Sequence, residues 1–165
     1  MKLNHDSLIC HVGKVNGRNE KHGEDTVLAV DVALRLMEPE QWAELAASLW
    51  GIEKQRAAEM LHSLSDMQLD SVTFSGAVVE HKVNFRQSNK KLATLSGAKV
   101  NKVVMRWGES LGMTFRVQAQ SDGDTIGHLM EAMGEKVRVE LVCTTEDEGG
   151  DPAQMQLNDK VAEHA

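Results

Sequence analysis

Apolar and polar residues alternate loosely from Ser7 to Val15, which predicts a first strand followed by a polar loop, Asn16 to Asp25, with two glycines. Thr26, Leu28, Val30, Val32, Leu34 and Leu36 then fall on one side of an extended segment, with Asp31 and Arg35 on the other. After Pro39 the period changes. Trp42, Leu45, Ala46 and Leu49 recur at helical spacing up to Gly51, and Ala57, Met60, Leu61 and Leu64 repeat the pattern over a second helix from about Glu53 to Leu64.

The second half returns to alternation. Val72, Phe74 and Val78 share one phase; Val79, His81, Val83 and Phe85 share the other, so a bulge is expected near Val78-Val79. Segment 98–107 reads as a less regular strand. Leu111, Met113, Phe115, Val117 and Ala119 alternate cleanly with Thr114, Arg116, Gln118 and Gln120, the pattern of a half-buried antiparallel strand. Asp124 is placed to cap a short helix carrying Ile126, Leu129, Met130 and Met133, closed by Gly134, and a last strand follows with Val137, Val139, Leu141 and Cys143 inward. The expected fold class is α+β: an antiparallel sheet or small sandwich built from hairpins with short helices packed on it. The pattern divides the chain into a globular domain, 1–143, and an acidic C-terminal tail, 144–165, which lacks an apolar period and is expected to be disordered.

Composition narrows the class. A hydrophobic fraction of 41% and a charged fraction of 26% are ordinary globular usage. No run approaches the roughly 20 apolar residues of a membrane span, and the first residues lack the apolar stretch of a signal peptide. Cys10 and Cys143 lie far apart and no Asn-x-Ser/Thr acceptor occurs, so a reducing cytoplasm is the expected compartment.

Charge changes the picture further. The net charge is −7, of which the tail carries −5. Inside this acidic chain the stretch Lys82 to Arg106 holds seven bases (Lys82, Arg86, Lys90, Lys91, Lys99, Lys102 and Arg106) and no acid. Such a block on a sheet surface supplies the charge that neutralises phosphates, and Trp107 at its border could stack a base. Phe85, by contrast, alternates onto the core face. The segment Gln87–Lys91 reads as a solvated basic loop.

Other chemistry is weaker. Gly108-Glu109-Ser110-Leu111-Gly112 matches the nucleophile elbow formally, but a strand follows it where that elbow needs a helix, so a hairpin turn is expected. Cys10 and His11 are adjacent and would point to opposite faces of a strand, and no ligand pair has zinc-knuckle spacing. His22-Gly23-Glu24-Asp25 is turn chemistry without a second constellation. No phosphate loop or dinucleotide fingerprint occurs; no catalytic residue, metal or cofactor is expected.

His22-Gly23-Glu24-Asp25-Thr26-Val27-Leu28-Ala29-Val30-Asp31-Val32, with Lys99-Val100-Asn101, Phe115-Arg116-Val117 and Ile126-Gly127-His128-Leu129, resembles small uncharacterised proteins of tailed phages and prophages. The resemblance implies an early-region protein encoded near recombination and replication functions. It carries no functional residues over to this chain. The reading is then an accessory protein binding single-stranded DNA, with a host or phage replication or recombination protein as a possible partner. The alternative is a non-enzymatic factor that modulates a host enzyme or defence system through its acidic surface.

Overall fold

The computed structural model describes residues 3–75, 80–108, 111–144 and 154–159. β1 (His5–His22) and β2 (Asp25–Leu36) are joined by a turn of only two residues, Gly23 and Glu24, with His22 opposite Asp25. The long loop expected between them is therefore strand. Polar residues mislead here because Asn16–His22 has no buried side chain, so no apolar alternation marks it.

Two helices follow, α1 (Pro39–Trp50) and α2 (Lys54–Asp66). Pro39 opens the first with its fixed φ, and Gly51 in the left-handed region (φ 67°) ends it. Ala43, Leu45, Ala46 and Leu49 of α1 and Ala57, Leu61 and Leu64 of α2 are buried. The helices pack on each other and join the sheet where α1 meets β6 and α2 meets β3. Trp50 stacks obliquely on Phe74, ring centres 5.1 Å apart.

Four strands come next: β3 (Leu69–Ser75), β4 (Glu80–Gln87), β5 (Lys90–Arg106) and β6 (Gly112–Gln120). The expected bulge at Val78-Val79 lies outside the described residues. β5 starts eight residues earlier than the pattern predicts. Ser88 and Asn89, both at positive φ (48° and 67°), turn the chain in two residues, so the segment read as a basic loop is a tight hairpin.

α3 (Gly123–Glu131) is capped by Asp122 and not by Asp124, the Asp122 carboxylate accepting from Thr125 N at 2.7 Å. Ile126 and Leu129 are buried, whereas Met130 within the helix and Met133 beyond its end are exposed. β7 (Lys136–Cys143) returns to the sheet. β8 (Gln154–Asp159), within the acidic segment 144–165, pairs with β3. The outer edge of β3 offers N–H and C=O groups to a further strand, and backbone pairing can recruit a polar segment with only a weak Met155/Leu157 alternation.

The strands form one antiparallel sheet in the order β4-β7-β1-β2-β6-β5-β3-β8, and an additional pairing of β4 with β5 closes the first six into a ring. An α+β chain dominated by antiparallel pairing was expected; ring closure was not. β5 makes it possible by length, since its first half pairs with β4 and its second half with β6. Inward positions fill one hydrophobic cluster, with Leu8, Val32, Leu34, Phe85, Val100, Phe115, Val139 and Leu141 at 0–1% exposure. α3 lies close over β1 at Gly17, where a Cβ would make ordinary contact with Ile126 and Met130. No helix among the described residues is long and apolar enough to cross a membrane.

Candidate nucleic-acid interface

The β4–β5 hairpin carries the first half of the basic block. Lys82 and Arg86 are exposed and alternate with buried His81, Val83 and Phe85. Lys91 stands opposite Arg86 on β5, and Arg138 stands opposite Arg86 on β7. Three cations thus form a row, Lys91–Arg86–Arg138, across three adjacent strands, all exposed. Arg138 donates to Ser7 Oγ at 3.1 Å. Glu140, two residues along β7 on the same face, accepts from Asn84 Nδ2 at 2.5 Å. A polar groove of about 510 Å³ lies beside Arg86 and Arg138, lined also by Asp6, Ser7, Asn84, Asn89 and Glu140 but not by Lys91.

The second half of the block lies elsewhere. Fifteen residues of strand separate Lys91 from Arg106, roughly 50 Å if the strand were straight. Lys99 is flanked by Glu80 on one side and Gln118 on the other, so its charge faces an acid. Lys102 sits at a break in the β5–β6 register with a positive φ of 52°, the mark of a bulge. Arg106 ends β5 opposite Gly112. The linear block is therefore two groups, one on β4 and the start of β5 that includes Lys90 and Lys91, the other further along β5.

Trp107 follows the last residue of β5. It is half-buried against the core and lines an apolar groove of about 280 Å³ with Trp42, Leu61 and Met105. Its backbone N–H donates to Asp70 O at 3.1 Å, which folds the strand end inward. Arg138 belongs to no basic run, because it lies in β7 between Val137 and Val139, far from the block in sequence. Its only sequence signal is the outward phase of that strand.

The remaining candidates resolve structurally. The Gly108–Gly112 segment joins two antiparallel strands, and its Glu109 and Ser110 lie outside the described residues. His22 Nε2 lies 3.4 Å from Glu20 Oε2 and 3.0 Å from Gln120 Nε2. Arg18 bonds Glu20 and also pairs with Asp31; the guanidinium holds the Glu20 carboxyl below its ordinary range. Cys10 is in the core, where burial pushes its thiol up, and Cys143 is half-buried. Among the described residues no three His, Cys, Asp or Glu side chains gather as a metal shell. Comparison with protein-family models, curated proteins and solved structures finds no match to this chain.

Proposed function

We propose that the chain is a non-enzymatic, cytoplasmic nucleic-acid-binding protein, an accessory factor acting on single-stranded DNA in phage or prophage replication or recombination. The observation that carries the reading is the row Lys91–Arg86–Arg138, three cations in direct cross-strand register on a protein of net charge −7. Like charges set opposite one another repel, and an anion over the row would relieve this beyond what Asp6 and Glu140 in the same groove supply. Phosphates of a nucleic-acid backbone are such anions, and releasing their counterions drives association. Neutralising Lys90 and Lys91 together should weaken binding of an oligo-dT and lower the salt dependence by roughly 0.7 log units for each phosphate that is no longer neutralised. Unchanged affinity in that double variant overturns this assignment of the site.

A second reading, a factor that engages a host or phage protein, is favoured by the apolar groove between α1, α2 and β5. Capture of a partner that survives high salt and disappears on Ala58→Arg would support it over the first.

A further inference from the structure

We infer that a single strand of nucleic acid crosses the sheet at right angles to its strands, running from the β4–β5 hairpin over β7, β1 and β2 to β6. This path rests on the nucleic-acid reading above and says where the ligand lies, what form it has and how it is recognised.

The row at Lys91, Arg86 and Arg138 does not end on β7. Two residues back on the same outward face is Lys136, directly opposite His11 of β1, which is opposite Arg35 of β2, which is opposite Thr114 of β6. Two residues on from Thr114, on the same face, Arg116 stands opposite Asn101 of β5. Lys136, His11 and Arg116 are exposed, and Arg35 is half-buried. Residues scattered from position 11 to position 138 thus form one belt of donors. Acids beside it include Glu140, which accepts from Asn84; Asp31, which pairs with Arg18; Asp6 at the rim of the groove; and Glu135, exposed next to Lys136.

Arg35 is held ready within this belt. Its Nη2 donates to Leu111 O, and its Nε is buried without a hydrogen-bond partner. Gly112, at φ 147°, leaves the room: a Cβ there would lie 2.9 Å from Arg35 Nε. A buried donor without an acceptor costs free energy, and turning the guanidinium outward onto a phosphate would relieve it.

The form of the ligand follows from shape. From β5 over β4, β7, β1 and β2 to β6 the belt crosses five strand spacings, about 24 Å, on the outside of a closed ring. Duplex DNA, with a persistence length of about 150 base pairs, cannot follow so tight a convex surface, whereas a single strand can. Recognition is through the backbone. Phe74, Phe85 and Phe115 are buried, and Trp42, Trp50 and Trp107 are half-buried, so no aromatic platform lies along the path.

The test is a fluorescence-anisotropy series on the full chain at low salt, using oligo-dT of about 4 to 16 nucleotides, an abasic strand of equal length and a duplex. The variants are Lys136→Gln/Arg116→Gln and, as an off-path control, Arg56→Gln on α2. The path predicts three results together. The abasic strand binds within about threefold of oligo-dT, the duplex binds more weakly, and the double variant lowers the salt slope by about 1.4 while the control does not. If the wild-type protein binds oligo-dT and the double variant behaves like the control, the path is wrong and the functional reading stands. Tighter binding of the duplex, or failure of the abasic strand to bind, overturns the single-strand backbone mode. No binding of any probe by the wild-type protein overturns the functional reading itself.

Discussion

Arg86 on β4 and Arg138 on β7 stand directly opposite each other, with Lys91 opposite Arg86 on its far side. Cross-strand like charges destabilise by roughly 0.2–1 kcal/mol. Arg138→Gln should therefore leave stability in urea unchanged or raise it by up to about 0.5 kcal/mol, while weakening oligonucleotide binding. A drop of more than about 1 kcal/mol would mean that the bond to Ser7 holds the fold and that the repulsion is minor.

Trp107 separates packing from recognition. Because it is half-buried against the core, where it lines a groove with Trp42, Leu61 and Met105, Trp107→Ala should cost about 1–3 kcal/mol of stability, and Trp107→Phe should bind oligo-dT as the wild type does. A stable Trp107→Phe protein with reduced affinity would restore the indole to the binding surface.

Acid should loosen the N-terminal strand against α1. The imidazole of His5 meets Ser48 Oγ at 3.0 Å, and burial holds its pKa below the ordinary value of 6.5, outweighing the opposite pull of Glu44 and Asp6. The unfolded chain thus binds this proton more readily than the native one. Stability is complete above about pH 6.5 and falls as the pH drops through that value toward the lowered native pKa. His5→Gln should flatten the difference in urea stability between about pH 7 and pH 5. A variant with the wild-type slope would assign that slope to other groups.

The two thiols should differ in reactivity. Cys10 is fully buried with its pKa raised, while Cys143 is half-buried at the end of β7. Native-state labelling should modify Cys143 first, with Cys10 slower by on the order of 10³, as expected for a group exposed only by unfolding. Equal rates would show that β1 opens locally.

Periodicity located the helices and the inward faces well, since Leu45, Leu49, Leu61, Val32, Phe85 and Phe115 are all buried where their spacing placed them. It failed where burial does not write the pattern. The distal half of β1, Asn16–His22, has no buried side chain, and β8 is joined by backbone bonds that its side-chain pattern announces only weakly. The candidate site was half legible. A basic run is visible in sequence, but a run along one strand spans tens of ångströms, whereas cations that stand side by side come from different strands. Arg86 could be found in this way; Arg138, Lys136, Arg35 and Arg116 depend on register, which only the pairing of strands supplies.

Whether the cationic belt binds single-stranded DNA is decided by titrating a labelled 16-nucleotide oligo-dT with the full chain at about 50 and about 200 mM salt. If about four phosphates are neutralised, affinity should fall on the order of 50-fold between the two. Absence of binding at the lower salt, or binding indifferent to salt, would rule out a phosphate-neutralising role for these residues.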